Sequence, residues 1–486
     1  MYWLTLLLLL PLFGILLIAL IPANRPQLIR QTALLASATT LACAWALLGN
    51  FDTQLGQIQF AEVLRWNPRL GSSYSLGVDG FSYPMVLLAT VLCFVAMLAS
   101  ASIKDKPKGY YALLLMLESA MLGVFMAQDW SLFYVFWELT LIPLFFLIDR
   151  WGGERRHGAA LNFFLYTMGG SVFMLISLLA IFDLLPSHSF AMADMAQGAK
   201  ALASHTQVLL FLGLLIGFGV KMPIFPVHGW LPLVHVQAPS PVSILLSGIL
   251  LKMGAYGLIR STAMLPEAAV ILQVFLTALA FISLIYGGLL AWQQTDLKAM
   301  IAYSSISHMG VVLLGIATLN QTGLTGAVYQ MVAHGLVAGA LFLLVGLLYE
   351  RTHTRDIRHY SSLVRSMPRF AFFTSLSLVA LIGMPGTAGF IAELHILIGG
   401  FNRWAWVMIL LSTGVMITAA YSIRTIGHLF TGPVRPEMVG LPDLRRSELI
   451  AAITLTAGTI ALGVYPVPVL NLISASVNKL SHGFAG

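Results

Sequence analysis

Long apolar runs separated by short polar segments make up most of this sequence of 486 residues. A run of about 20 apolar residues is long enough to cross a lipid bilayer as an α-helix. The first run has almost no positive charge before it and no small-residue cleavage site, so we expect a retained helix rather than a signal peptide. The pattern predicts fourteen spans, at 2–22, 32–49, 82–100, 110–127, 130–148, 159–183, 205–224, 241–261, 267–290, 299–318, 323–349, 370–396, 404–427 and 447–470.

The composition supports the same fold class. Hydrophobic residues make up 58% of the chain and charged residues only 9%, whereas water-soluble domains carry roughly 25% charged residues. A single water-soluble core cannot hide so much apolar surface. The predicted fold is therefore an all-α integral membrane protein with about fourteen transmembrane helices. The two cysteines, Cys43 and Cys93, lie within apolar spans, at no spacing typical of a disulfide or a metal site.

The basic residues are distributed unevenly between the two sides of the predicted bundle. Of the 26 lysines and arginines, 18 lie in the odd-numbered loops, six lie on the opposite side with the termini, and Lys221 and Lys252 lie inside spans. The positive-inside rule then places the odd loops in the cytoplasm and both termini outside. This distribution accounts for the net charge of +7, so no nucleic-acid partner is needed to explain it.

Two predicted spans contain clusters of helix-breaking residues. Residues 217–230 read "GFGVKMPIFPVHGW" and residues 381–393 read "LIGMPGTAGFIAE". Proline removes a backbone donor and clashes with the preceding turn, and glycine loosens the helix. Irregular backbone at membrane depth persists only where protein or a water-filled cavity solvates it. Interrupted helices at matching places in two halves of a chain are typical of inverted-repeat transporters.

The positions of these breaks predict the organisation of the chain. They fall in the seventh and twelfth spans, so a five-helix unit formed by spans 4–8 and repeated as spans 9–13 carries each break in its fourth helix. Because five is odd, the second unit must be inverted; chance placement of two Gly/Pro clusters is the alternative. The long outer loop, 50–81, is predicted to lie as an interfacial segment. The predicted units are 1–109 with three helices and this loop, 110–262 and 263–428 as the two repeats, and 429–486 with the last helix.

Several ionisable side chains lie inside apolar spans. A charge at the bilayer centre costs a few kcal/mol or more, so each is a candidate functional group. The alternatives are snorkelling of an acid or lysine near a helix end, or an ordinary hydrogen-bonded core histidine. The candidates are Glu118, Glu138, Lys221, Lys252 and Glu393, with the histidines His228, His235, His308 and His334.

These residue types suit a proton relay. Burial raises the pKa of a carboxyl group and lowers that of an ammonium group, and a neighbouring opposite charge reverses both shifts. A lysine that can either pair with a glutamate or stand alone is therefore a switchable proton holder. With a pKa near neutrality and two ring nitrogens, histidine can pass protons between such groups. Ser304, Ser305 and Ser307 beside His308 are candidates to anchor water. The sequence carries no phosphate-binding loop, no iron–sulfur cysteine set and no convincing metal-ligand spacing. Proton translocation is therefore favoured over transport of an organic solute.

Six stretches carry a family resemblance: "FWELTLIPLFFLI", "GVKMPIFPVHGWLP", "QAPSPVSILLSGILLKMGAYGLIR", "TDLKAMIAYSSISHMG", "MVAHGLVAGALFLLVG" and "GMPGTAGFIAE". Spread in order over roughly 110–430, they resemble the antiporter-like subunits of respiratory complex I. The resemblance implies fourteen helices with inverted five-helix repeats. Within that superfamily the chain resembles the M type of bacterial NADH-quinone oxidoreductase. Glu393 stands where the L and N types usually carry lysine, "YERTHTRDIRHYSSL" looks M-like, and only sixteen residues follow the last predicted span, without the long lateral helix of the L type.

The resemblance also implies roles and partners. Glu138 and Lys221 would interact in the half-channel that admits protons, Lys252 would be the central lysine, His308 and His334 would belong to the polar axis, and Glu393 would face the exit. Glu118 and His228 remain candidates without an implied role. The chain would hold no cofactor, with NADH, FMN, iron–sulfur clusters and quinone in partner subunits. Those partners would be other antiporter-like and small membrane subunits, the peripheral redox arm and lipids of the bacterial inner membrane.

Other functions share this helix pattern and stay open on sequence grounds. The chain fits a subunit of a multisubunit cation/proton antiporter, the membrane arm of a hydrogenase complex, or an energy-coupled inorganic-carbon uptake complex with a soluble zinc protein. A purely structural scaffold is the last alternative. Copurifying subunits would separate the first three, and removal of a buried charge would test the last.

Overall fold

The computed structural model describes residues 2–484, and most of these residues are α-helical. Each predicted span has a helical counterpart. The helices are α1 Trp3–Leu20, α2 Pro26–Leu47, α3 Tyr83–Ala99, α4 Pro107–Met126, α5 Trp130–Leu139, α6 Leu141–Trp151, α7 Arg156–Leu184, α8 Met192–Gly198, α9 Ser204–Lys221, α10 Trp230–Gln237, α11 Ser240–Leu245, α12 Leu251–Met264, α13 Pro266–Ile271, α14 Gln273–Gln293, α15 Leu297–Ala317, α16 Gln321–Thr352, α17 Pro368–Leu381, α18 Ala388–Trp404, α19 Ile409–Phe430, α20 Arg446–Val464 and α21 Val467–His482.

Thirteen helical segments among the described residues are long and apolar enough to cross a membrane. Two of these segments combine shorter helices: α5 with α6, and α11 with α12 through a π-helical turn at Leu246–Leu250. The remaining predicted span corresponds to α17 and α18, which an interruption divides into two shorter helices. The all-α integral membrane class is therefore confirmed. The inverted repeat and the unit boundaries remain predictions.

The most buried helices lie at the centre of the bundle and carry the candidate groups. The membrane-spanning windows of α11–α12 and α16 are fully buried and that of α15 is 94% buried, whereas those of α1 and α2 are only 33% and 28% buried. Helix α16 packs against α3, α11, α15, α18 and α20. Its glycines allow this close packing: a Cβ on Gly335 would stand 2.6 Å from Leu88, and one on Gly346 would stand 2.2 Å from Ser240.

The long loop at 50–81 forms a β-hairpin, which the sequence analysis did not predict. Strands β1 (Gln59–Asn67) and β2 (Ser72–Val78) pair antiparallel. The hairpin closes the N-terminus of α1, because the buried carboxylate of Glu62 accepts hydrogen bonds from the backbone N–H groups of Leu4 at 2.6 Å and Thr5 at 3.0 Å. The first turn of a helix leaves such donors unpaired, and a negative charge there is favourable.

The C-terminal region also differs from the expectation. The last predicted span, 447–470, is two helices: α20 ends at Val464 and α21 begins at Val467. Pro466 and Pro468 mark the bend, since proline is favoured in the first turn of a helix and disrupts the interior. Helix α21 packs against α16 and α3, and its Ser476 hydroxyl accepts a hydrogen bond from Gly80 N at 2.9 Å.

Candidate functional site

The first break separates α9 from α10, and neighbouring protein groups satisfy its backbone. Helix α9 ends at Lys221, α10 begins at Trp230, and the segment between them contains Pro223 and Pro226. The Trp230 indole N–H donates to Val220 O at 2.8 Å, and Phe225 N donates to the Ser283 hydroxyl at 2.9 Å. The unwound segment is thus solvated by protein, as backbone at membrane depth requires.

Lys221 lies buried at the end of α9, where it contacts α5 and α6. Its Nζ donates to Trp137 O at 3.2 Å and to Thr140 Oγ1 at 2.9 Å. The same ammonium lies 4.0 Å from the centroid of the Trp137 ring, within the range of a cation–π contact. Two neutral acceptors and an aromatic face therefore hold this cation.

Glu138 is a neighbour of Lys221 but not its hydrogen-bond partner. It lies close enough for a Coulombic interaction, yet the ion pairs within 4.0 Å among the described residues do not include it. Its buried Oε1 atom has no hydrogen-bond partner. Side chains of successive helical residues diverge by roughly 100°, so the Trp137 ring covers Lys221 while Glu138 points along another face of α5. The two side chains thus stand in an open arrangement, and their pairing remains a prediction.

Lys252 lies at the start of α12, directly after the π-helical turn. Its Nζ donates to Ser247 O at 2.6 Å and lies 2.6 Å from His334 Nδ1 on α16. A π-helical turn shifts carbonyl groups out of the regular α-helical ladder, and such turns occur frequently at functional sites. Lys252 is therefore in direct contact with His334, which the resemblance assigns to the polar axis.

His308 and His334 adjoin each other in the centre of the bundle. Their ring centroids are 5.5 Å apart. His308 Nδ1 lies 2.8 Å from Ser304 O, and its Nε2 lies 3.1 Å from Leu381 O. Because carbonyl oxygens only accept, His308 makes both contacts as hydrogen bonds only when both ring nitrogens carry a proton. Its protonated form thus connects α15 to the end of α17, where the second break begins.

The second break brings Glu393 towards this histidine pair. Helix α17 ends at Leu381, α18 begins at Ala388, and Gly383 and Gly386 have φ angles of +79° and +93°. A Cβ on Gly383 would stand only 2.5 Å from Glu393 Oε2. Gly383 is therefore required for two reasons: its backbone is left-handed, and a Cβ would block the approach of the Glu393 carboxylate.

A small cavity lies between the histidines and Glu393. The volume open to the centre of a water-sized sphere is about 10 Å³. The lining includes His308, His334 and Glu393, with Gln330 on α16 and Leu381 at the break. The structure thus brings four predicted residues, Lys252, His334, His308 and Glu393, into one continuous cluster. Lys221 and Glu138 form a second cluster.

Two of the three remaining candidates, Glu118 and His228, make no hydrogen bond to either cluster among the described residues. Glu118 on α4 is fully buried and accepts a hydrogen bond from the Ser37 hydroxyl at 3.2 Å, while its Oε2 has no partner. His228 lies in the first break between the rings of Phe225 and Tyr286, at centroid distances of 5.9 and 5.4 Å, and its Nδ1 has no partner. Among the hydrogen bonds of the described residues, none links either side chain to Lys221 or Lys252.

Two further buried polar side chains lie on α10 and α16. His235 on α10 stacks on Phe342 with a centroid distance of 4.4 Å, and neither of its ring nitrogens has a hydrogen-bond partner. The sequence analysis missed Gln330, because its side chain carries no charge and its burial has no large energetic cost to mark it as functional. Its spacing was the available signal, since Gln330 precedes His334 by one helical turn and shares its face.

A large polar crevice lies at the ends of α6, α10, α15 and α16. Its volume is about 790 Å³, and its lining includes Lys298, Glu350 and Arg355. Arg355 pairs with Asp296 at 3.1 Å and donates to Val236 O. On the exposed loop beyond α16, hydrogen bonds from Arg358 lower the pKa of Asp356 to about 2, so this part of the rim stays charged at every physiological pH.

The described residues include no group of three or more His, Cys, Asp or Glu side chains placed to hold a metal ion. The fold and the buried clusters define a polytopic membrane protein whose interrupted helices carry ionisable groups, the arrangement typical of ion transporters.

Comparison with known proteins identifies the family. Residues 127–418 match the profile described as "NADH:quinone oxidoreductase/Mrp antiporter, TM". NAD(P)H-quinone oxidoreductase chain 4 of Thermosynechococcus vestitus is 42% identical over 476 residues, covering 96% of this chain and 89% of the relative. NADH-quinone oxidoreductase subunit M of Rhodobacter capsulatus is 40% identical over 466 residues, covering 94% and 91%. A chain of respiratory complex I from Thermus thermophilus with bound NADH superimposes with a TM-score of 0.89 at 30% identity, covering 99% of this chain and 100% of that one.

The chain therefore belongs to the antiporter-like membrane subunits of NADH-quinone oxidoreductase, in the branch of chain 4 and subunit M. The resemblance drawn from the six sequence stretches is confirmed, including its assignment to the M type. The roles of the individual buried residues remain predictions.

Proposed function

We propose that this chain translocates protons across the membrane as a subunit of an NADH-quinone oxidoreductase, along the buried line Lys252, His334, His308 and Glu393. The contact of 2.6 Å between Lys252 Nζ and His334 Nδ1 carries this proposal. It places a proton donor against a proton acceptor in the centre of the bundle, with the cavity at Glu393 on the far side of the histidine. Buried ionisable groups in a membrane protein are costly and mark ion pathways.

The geometry supports a relay rather than a binding site for a solute. The Lys252 ammonium donates to neutral His334, and transfer of that proton would leave a neutral lysine bonded to an imidazolium. Ser247 O accepts from Lys252 but cannot take its proton, so the carbonyl stabilises the charge without ending the relay. Glu393 is the only acidic side chain lining the cavity, and it would receive the proton on the exit side.

Lys221 and Glu138 act in this proposal as the switch that admits a proton. In the observed open arrangement, Trp137 and Thr140 hold the ammonium. Movement of Lys221 onto Glu138 would exchange two neutral acceptors for a carboxylate. Moving one charge across 100 mV costs about 2.3 kcal/mol, which corresponds to a change of about 1.7 pKa units in one group. A side-chain rearrangement that changes one pKa by this amount would therefore offset the cost of moving the charge.

The proposed complex supplies the chemistry that this chain does not perform. NADH oxidation, FMN, iron–sulfur clusters and quinone reduction are assigned to partner subunits, including a peripheral redox arm. Other antiporter-like and small membrane subunits would adjoin this chain in the lipid of the bacterial inner membrane. The excess of basic residues in the odd-numbered loops supports cytoplasmic odd loops and outer termini.

The proposal is tested by removing the two ends of the line in the assembled complex. Lys252→Ala and Glu393→Gln should each abolish most proton pumping in inverted membrane vesicles, measured as fluorescence quenching of a pH-sensitive dye after NADH addition. Blue-native gels would establish that the complex assembles. Pumping at the wild-type rate by an assembled Lys252→Ala complex would reject the path and favour a scaffold. Copurification with a cation/proton antiporter, a hydrogenase or a zinc protein would assign the chain to a different complex.

A further inference from the structure

We infer that Gln330 is a positioning residue that holds a water molecule between His334 and Glu393, and that this water carries the proton across the gap between them. The inference rests on the proposed function, because it adds to that path a direct step from His334 to Glu393, alongside the step through His308. Gln330 lies on α16 one turn before His334 and is almost fully buried. Unlike the lysine, histidine and glutamate side chains of the rest of the line, the Gln330 side chain is a neutral amide.

The first argument is the cavity. The centre of a water-sized sphere has about 10 Å³ of free space in this cavity, so one water molecule fits there. A buried site retains water when it offers two to four polar partners. Gln330, His334 and Glu393 all line this cavity, and Leu381 contributes the break at the end of α17.

The second argument is that the polar atoms around the cavity lack partners. His334 Nε2 and Gln330 Oε1 are both buried without a hydrogen bond. An unsatisfied buried polar atom costs about 1–3 kcal/mol, so two of them beside one cavity indicate a shared partner. A single water satisfies both atoms and the carboxylate as well.

The directions of the hydrogen bonds are consistent. When Lys252 donates to His334 Nδ1, the neutral ring carries its proton on Nε2. Nε2–H then donates to the water oxygen. The water has two hydrogens, of which Gln330 Oε1 accepts one and the Glu393 carboxylate accepts the other. Gln330 thus fixes the orientation in which the second hydrogen points at Glu393.

The transfer balances in protons. The Lys252 N–H bond breaks as a His334 Nδ1–H bond forms, and the Nε2–H bond breaks as a new O–H bond forms on the water. The O–H bond of the water that points at Glu393 breaks as the O–H bond of the Glu393 carboxyl group forms. One positive charge leaves Lys252, Glu393 becomes neutral, and the water is regenerated. The amide of Gln330 gains and loses no proton, which suits a residue that must orient the water without trapping the charge.

The test compares three variants in the assembled complex in inverted vesicles, with NADH and decylubiquinone as substrates. Gln330→Met keeps the shape of the side chain and removes the acceptor. Gln330→Asn keeps the amide one carbon–carbon bond further from the cavity. Thr374→Val is the matched control, because Thr374 Oγ1 on α17 is also buried without a partner but does not line the cavity. Each is measured in H₂O and in D₂O, and blue-native gels quantify assembly.

We expect Gln330→Met to slow pumping about fivefold, the factor that one ordinary hydrogen bond is worth. The ratio of the rates in H₂O and D₂O should rise, because proton transfer becomes the slow step. Gln330→Asn should lose less activity and still show a raised ratio, and Thr374→Val should match the wild type in both. A merely structural role would reduce assembly and leave the isotope ratio unchanged.

Wild-type pumping and a wild-type isotope ratio in Gln330→Met would overturn the inference. If that variant does not assemble, Gln330→Asn decides in the same way. A Lys252→Ala complex measured alongside separates the two levels of the argument. If Lys252→Ala stops pumping while the Gln330 variants behave as the wild type, only the water position is wrong. If Lys252→Ala pumps normally, the proposed path itself fails.

Discussion

The most direct prediction concerns Gly383, which stands in the second break against the Glu393 carboxylate. Gly383→Ala introduces a Cβ where φ is +79° and where Glu393 Oε2 lies 2.5 Å away. The backbone strain costs about 1–2 kcal/mol. Ordinary van der Waals contact begins at 3.4 Å, so the carboxylate must also withdraw by about 1 Å. A misplacement of about 1 Å in a reacting group can cost on the order of 100-fold in rate.

The second break contains its own control. Gly386 has a φ of +93°, and a Cβ there would meet no atom within 4 Å. Gly386→Ala therefore carries the backbone strain without the contact to Glu393. We expect Gly383→Ala to lose most proton pumping and Gly386→Ala to keep most of it, with both complexes assembled. The assay is dye quenching in inverted vesicles, normalised to the amount of complex on blue-native gels.

A double variant isolates the cause. Glu393→Asp shortens the acid by one carbon and withdraws its carboxylate from the space that the new Cβ occupies. Because Glu393→Asp by itself already withdraws the carboxylate, Gly383→Ala/Glu393→Asp should pump no more slowly than Glu393→Asp alone. Equal pumping by Gly383→Ala and Gly386→Ala would refute the reasoning, because the distance between the break and the acid would then be irrelevant.

Three further predictions follow from named contacts. Thr140→Val removes an acceptor of Lys221 worth about 1.5–3 kcal/mol for a charged donor, so a cryo-EM map of the variant complex should show Lys221 moved onto Glu138; an unmoved ammonium would contradict this. His308→Asn cannot bridge Ser304 O and Leu381 O, so hydrogen exchange of residues 382–387 should accelerate, and unchanged protection would count against the bridge. Glu62→Gln replaces one acceptor oxygen with a donor and should speed exchange at the start of α1, while unchanged exchange there would show that Glu62 does not cap the helix.

The buried charges and the breaks were predictable from the sequence because both carry a large physical cost. Lys252 stands out within "GILLKMGAYG" since an ammonium group in hydrocarbon is expensive. Pro223 and Gly383 stand out since they disrupt a helix at membrane depth. Costs of this size leave a signal in a single sequence, and the structure places Lys252, His308, His334 and Glu393 together accordingly.

Features of low cost or long range were not predictable. The hairpin at 59–78 depends on pairing between strands, and its apolar residues Val63, Leu64 and Trp66 are all exposed, so no clean alternation marks a strand. The open arrangement of Lys221 depends on the hydroxyl of Thr140, which reads as an ordinary helix residue. Gln330 is neutral and adds little to the cost of burial, so charge alone does not distinguish it.

The buried charges and the helix irregularities are linked by hydrogen bonds to backbone carbonyl groups. Lys221 donates to Trp137 O in the last turn of α5, Lys252 to Ser247 O in the π-helical turn, and protonated His308 to Leu381 O at the end of α17. Each of these three buried bases therefore has a carbonyl acceptor at a helix irregularity. A carbonyl solvates a cation but cannot accept its proton permanently, whereas a carboxylate would fix the charge as a salt bridge. In the proposed path, the helix irregularities would thus stabilise positive charge in the bundle while leaving each proton free to move to the next base.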